Sequence, residues 1–95
     1  MKEKWVEALL DADWVFLKRF LLTSGSLKDL AKLYDVSYPT IRLRLDRLIQ
    51  KILVYDTHDD LTTFERSLRG YYAEGQLSKD CFQSLLKAYK EEKEN

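Results

Sequence analysis

The sequence predicts an all-α fold, three helices followed by a C-terminal helical hairpin, and three observations carry that reading. The 95 residues include one proline and three glycines, so long segments run without helix breakers. Apolar residues recur at i, i+3 and i+4 in successive segments, the spacing of one helical face. Helix-start residues stand at the head of those segments: Ser26, Ser37, Thr62 with Glu65 three residues on, and Ser78.

Taken in order, residues 4–10 hold Trp5, Val6, Leu9 and Leu10, enough apolar surface to pack. They form either a separate helical turn or an extension of the next helix. Residues 13–22 read as an amphipathic helix that buries Trp14, Leu17, Phe20 and Leu21, with Asp11 or Asp13 capping it. Gly25 suits the left-handed position after it, and Ser26 caps a short second helix over 27–35. That helix turns Leu27, Leu30, Ala31 and Tyr34 to one face, and Asp29 complements its N-terminal dipole.

Asp35-Val36-Ser37 is then a tight turn in which Asp35 must accept a positive φ and Val36 packs inward. Ser37 caps a third helix over 38–52, and Pro39 sits in its first turn, where a missing N–H is harmless. Its buried stripe is Ile41, Leu45, Leu48 and Ile52, spaced 4, 3 and 4 residues apart. Residues 53–62 read as a linker. The alternative is a short β-wing pairing Leu53–Tyr55 with Leu61–Phe64. Thr62 and Glu65 form a capping box for a fourth helix to about Glu74, burying Phe64, Leu68, Tyr71 and Tyr72. Gly75 ends it. A fifth helix runs from Ser78 to about Lys90 with Phe82, Leu85, Leu86 and Tyr89 inward, and residues 91–95 are expected to fray. The domain reading is therefore a helix-turn-helix domain over 1–52, a linker over 53–62 and the hairpin over 63–95.

Charge is distributed more informatively than its zero total suggests. Residues 23–52 carry six basic and three acidic side chains, a surplus of +3, and residues 53–95 carry six basic and nine acidic. The positive surplus thus falls on the helix-turn-helix, whose second helix leaves its first turn free to enter a DNA major groove. At about 100° per residue from Ile41, Tyr38, Thr40, Arg42, Leu43, Asp46 and Arg47 point outward or to the flanks. The candidate DNA-binding set is Ser37, Tyr38, Thr40, Arg42, Leu43 and Arg47. Arg42 would read guanine or hold a phosphate. Tyr38 and Thr40 suit phosphates at the helix N-terminus, and Arg47 suits a phosphate further along. Leu43 points almost directly away from the core, where it meets either a thymine methyl or a protein, and Asp46 would repel phosphate.

Ser26-Leu27-Lys28-Asp29-Leu30-Ala31 and the run Ser37-Tyr38-Pro39-Thr40-Ile41-Arg42-Leu43-Arg44-Leu45-Asp46 resemble a family of small prokaryotic proteins of unassigned function. That family has a helix-turn-helix similar to region 4 of sigma factors and an S-Y-P-T-[VI]-R-x-R-L-D signature. The resemblance spans about residues 5–52. It implies a transcriptional regulator that binds double-stranded DNA. Family members often have glycine at the turn and a polar residue between the arginines; here these are Asp35 and Leu43. Many members carry an N-terminal zinc ribbon. This chain has a single cysteine, Cys81, so the resemblance implies no metal here.

Phe64 to Tyr89 resembles the short helical hairpins that end many bacterial regulatory proteins. Two such helices cannot bury their apolar faces alone, so they must dock on the first three helices or on a second chain. Helix-turn-helix proteins usually bind paired half-sites, and a homodimer through residues 62–90 is expected. The rival reading is a protein-interaction module on the same scaffold, with a protein partner and no direct DNA contact. Leu43 and the neutral total favour it. No nucleophile–base pair, phosphate loop or metal cluster is recognisable, so neither catalysis nor a cofactor is expected. His58 beside Asp56, Asp59 and Asp60 reads as solvated loop, and Cys81 as a partly buried spacer. No segment has the length of a membrane span or the pattern of a signal peptide, which makes the cytoplasm the expected location.

Overall fold

The computed structural model describes residues 3–56 and 60–94, and all the regular structure among them is α-helical. Six helices follow in order: α1 (Lys4–Ala8), α2 (Asp11–Leu22), α3 (Leu27–Tyr34), α4 (Tyr38–Tyr55), α5 (Thr63–Ala73) and α6 (Lys79–Glu94). Residues 4–10 thus resolve into a separate short helix. Leu9 and Leu10 break it from α2 in extended conformation. The Leu10 N–H donates to the Asp13 carboxylate at 2.9 Å, which fixes where α2 begins.

The local signals act where the sequence puts them. The Ser26 hydroxyl accepts from the Asp29 N–H at 3.2 Å, and the Ser37 hydroxyl from the Thr40 N–H at 3.3 Å. Thr62 and Glu65 close a reciprocal capping box. Gly25 (φ 78°) and Gly75 (φ 81°) both stop helices in the left-handed region. Asp35 takes φ 54° and ψ 48°, so an aspartate fills the turn position that glycine would fill without strain.

The first apolar cluster joins α2, α3 and α4 with the segment around Leu9. Leu9, Phe16, Leu30, Ala31, Ile41 and Leu48 are buried, with Leu45, Ile52, Leu17 and Phe20 packed against them. The second cluster joins α4, α5 and α6. Leu68, Tyr72 and Phe82 are buried there, and Leu43 of α4 packs against them. The hairpin therefore docks on its own helix-turn-helix, one of the two outcomes its unpaired apolar faces demand.

Several expectations are corrected. Helix α4 continues through Leu53–Tyr55, so those residues belong to neither linker nor wing. Val54 and Tyr55 are weak helix formers, and the last turn is held by tertiary contact, with Arg66 of α5 donating to the Val54 carbonyl, until Asp56 turns to extended backbone. Helix α6 runs to Glu94, because the Lys/Glu segment after Tyr89 contains no glycine or proline to stop it. In α2 the fully buried residue is Phe16, 1% exposed, while Trp14 and Leu21 are 40% and 73% exposed. This helix is apolar around most of its circumference, so periodicity does not single out its inner face. Val36 is likewise exposed. The turn is held instead by its backbone, with the Val36 N–H donating to the Ala31 carbonyl at 3.0 Å. Phe64, Tyr71 and Leu85 are exposed on the hairpin, and Cys81 is exposed and not a partly buried spacer. The reading of His58 and Asp59 lies outside the described residues.

Candidate nucleic-acid interface

The candidate interface is built on the turn between α3 and α4. Ala31, nearly fully buried in α3, offers only a methyl group where the two helices approach. Leu30 and Ile41, each at most 1% exposed, fill the space between them. The short left-handed turn then sets the first turn of α4 at the surface.

The six candidate residues divide into two groups. Ser37, Tyr38, Thr40 and Arg42 are all exposed. Ser37 and Thr40 hydroxyls are 2.9 Å apart and cap the helix, so part of their hydrogen-bonding capacity is already used. Tyr38 is 54% exposed. The Arg42 guanidinium lies 3.2 Å from the Asp46 carboxylate, and Lys79 of α6 approaches the same carboxylate at 3.7 Å. Asp46 therefore serves as an intramolecular counter-ion, which weakens its repulsion of an incoming phosphate.

Leu43 and Arg47 form the second group, and both lie half-buried beneath the hairpin. Leu43 packs on the cluster of Leu68, Tyr72 and Phe82. The Arg47 guanidinium lies 5.8 Å from the centre of the Tyr72 ring and would touch any side chain placed at Gly75. Tyr72 in turn stacks on Phe82, with centroids 4.3 Å apart and the rings within 9° of parallel. Burial and the Asp46 charge raise the Tyr72 phenol above its ordinary pKa, against the opposing charges of Arg47 and Arg42.

Two further contacts extend this docking along α4. Arg69 donates to the Gln50 side-chain oxygen at 2.7 Å, and Arg66 donates to the carbonyl of Val54. Val54 lies in the last turn of α4, where backbone carbonyls lack intrahelical partners and no basic residue of α4 itself is present. Leu43, Arg47, Gln50 and Val54 are spaced 4, 3 and 4 residues apart. This is the same spacing as Ile41, Leu45, Leu48 and Ile52, displaced by two residues or about 200°. Helix α4 thus has two opposed stripes, one facing the helix-turn-helix core and one facing the hairpin. The second stripe escapes a hydrophobic pattern because its members are apolar, basic and amide in turn.

Other cations lie on the same two helices, α3 and α4. Lys28 and Lys32 are exposed on α3, and Arg44 is exposed on α4 with its guanidinium 4.8 Å and 4.9 Å from the ring centres of Phe16 and Tyr34. Lys51 pairs with Asp13 at 2.8 Å and ties α4 to the start of α2. Burial pushes the Asp13 carboxyl up, but the Lys51 hydrogen bond, the Leu10 N–H and the charges of Lys51 and Arg44 outweigh it and leave the pKa below the usual value. Among the described residues no group of His, Cys, Asp and Glu is placed to hold a metal, and no helix is long and apolar enough to cross a membrane.

Residues 9–54 match the family model described as Domain of unknown function (DUF2089)-HTH. The matched span begins at Leu9 of the first cluster and takes in α2, α3 and almost all of α4. Residues 9–54 are thus similar to the helix-turn-helix of a family without assigned function, and the hairpin of α5 and α6 lies outside the matched span. No curated protein and no solved structure matches the chain.

Proposed function

We propose that this chain is a DNA-binding transcriptional regulator in which α4 is the recognition helix and the C-terminal hairpin governs access to it. The observation that supports this most is the exposed first turn of α4 with Tyr38, Thr40 and Arg42, together with Lys28 and Lys32 exposed on α3, on a segment that matches a helix-turn-helix family. The resemblance of its signature to a sigma-region-4-like helix-turn-helix supports the same reading. With the hairpin docked, contact with double-stranded DNA runs through Ser37, Tyr38, Thr40 and Arg42. Leu43 and Arg47 join only when the hairpin leaves α4. The role is one of binding and not of catalysis, and its setting is the cytoplasm, where the chromosome lies.

Homodimerisation through residues 62–90 is part of this proposal. Tyr71 and Leu85 remain exposed on the hairpin after its inner face has docked, and they offer a surface to a second copy. Light scattering at micromolar concentration should give the mass of two chains, and a monomeric mass would remove this element.

A gel-shift salt series on random-sequence duplex DNA tests the central claim. The full chain should bind at low salt and lose affinity as salt rises, and Arg42→Ala should weaken binding. No binding at low salt, or binding indifferent to Arg42→Ala, would sink the proposal. A protein-interaction module is the second reading. The hairpin's cover over the outward stripe of α4 favours it, and binding of a protein partner without DNA binding would decide for it.

A further inference from the structure

We propose that the groove between the start of α2 and α5, floored by α4, is a binding site for a small amphiphilic monocarboxylate. The groove has a volume of about 710 Å³, within the range of roughly 300–1,000 Å³ usual for small-molecule sites. Leu10 and Phe16 line one wall and Leu48 and Val54 the floor, so the body of the ligand is apolar.

Two cations in the lining, Arg44 and Arg47, have no carboxylate at ion-pair distance among the described residues, and Arg44 feels the Asp13 charge only at longer range. Arg42, Lys51, Arg69 and Lys79 each have one. Arg44 and Arg47 instead lay their guanidiniums over aromatic rings, Arg44 on Phe16 and Tyr34, Arg47 on Tyr72. A cation–π contact does not consume the N–H donors of a guanidinium, and a carboxylate can accept two of them in parallel hydrogen bonds. The Nε of Arg47 is buried with no hydrogen-bond partner, the condition a bound acceptor would relieve. Lys51 and Asp13 cancel each other in the lining, and Glu74 offsets one of the two free arginines. The remaining charge is that which one carboxylate neutralises.

Gly70 supplies a separate observation. It lies inside α5, where glycine weakens a helix relative to alanine. A Cβ there would meet nothing within 4 Å, and the residue does not take a positive φ. Neither packing within the chain nor backbone conformation calls for glycine. The missing side chain lowers the α5 wall of the groove and leaves that space to a ligand.

Isothermal titration of the full chain with octanoate, 1-octanol and acetate tests the site, and it does not depend on whether the chain binds DNA. Octanoate should bind at one per chain. Octanol and acetate should each bind at least about tenfold more weakly, since each lacks one half of the interaction. Arg44→Gln and Arg47→Gln should each weaken octanoate binding by about tenfold. Gly70→Leu narrows the groove from its α5 side and should weaken octanoate binding by about tenfold or more, while the far-ultraviolet dichroism stays that of the unsubstituted chain. The last variant keeps the test decisive if Arg47→Gln loosens the hairpin. Absence of octanoate binding at millimolar ligand, equal binding of octanol or acetate, or octanoate binding unchanged by Gly70→Leu would each overturn the proposal.

Discussion

The two faces of α4 solve the same packing problem with different chemistry. Toward the helix-turn-helix it presents Ile41, Leu45, Leu48 and Ile52, aliphatic throughout, and they meet the buried Phe16 and Leu30. Toward the hairpin it presents Leu43, Arg47, Gln50 and Val54, and they meet a ring, two arginines and a small apolar cluster. The first face draws on a contiguous core of six buried residues, the second on three. Hydrophobic burial scales with area, so the helix-turn-helix half should be the more stable unit. The hairpin, fastened by a few polar and aromatic contacts, should open first. A helix whose outer face is closed by the weaker of two interfaces is a helix whose exposure can be controlled.

Substitutions that strike one face at a time test this asymmetry. Phe16→Ala should have the largest effect, a loss of about 3–5 kcal/mol measured by urea denaturation, with both halves unfolding together. If the hairpin stayed folded in that variant, it would be an independent domain and the ranking would be wrong. Tyr72→Ala should cost about 3 kcal/mol, and hydrogen exchange should locate the loss in α5 and α6 while α2–α4 keep their protection. Under the proposed function this variant should also bind DNA more tightly, because it frees Leu43 and Arg47.

Leu43→Ala sharpens the comparison further. A leucine pointing into solvent would be replaced almost without cost, whereas one packed under Tyr72 and Phe82 should cost about 1–2 kcal/mol on denaturation. The pH dependence should separate the two faces as well. The Tyr72 pKa is raised above 10.0 in the folded chain. An unfolded chain therefore gives up this proton first, and the stabilisation present below pH 10 is lost as pH rises through the folded value. Hairpin amides should lose protection on the alkaline side before those of α2–α4. Gly70→Ala should give the smallest change and the opposite sign, a gain of about 0.5–1 kcal/mol, since its methyl group meets nothing inside the chain.

Much of the fold is legible in the residues because the signals are local. Ser26, Ser37, Thr62 and Ser78 each accept from the backbone N–H three residues on, a contact fixed within one helical turn. Asp35 and Gly25 mark the left-handed turns, and the 4-3-4 stripe beginning at Ile41 names the core face of α4 correctly. The inner face of α2 is not legible, because Trp14, Val15, Leu21 and Leu22 are as apolar as the Phe16 that is buried.

For the candidate interface the division is similar. The sequence by itself determined the helix-turn-helix, its caps, and the exposed first turn carrying Tyr38, Thr40 and Arg42. It also determined that α5 and α6 must dock on something, since each has an unpaired apolar face. Only the tertiary structure decided that they dock on the outward side of α4, over Leu43 and Arg47. The physical reason is that this side is chosen by contacts between residues far apart in the chain: Arg47 with Tyr72, Gln50 with Arg69, and the Val54 carbonyl with Arg66. No hydrophobic period encodes an arginine lying on a tyrosine. The residue that looked most out of place on an outer face, Leu43, was an apolar mark of that second interface.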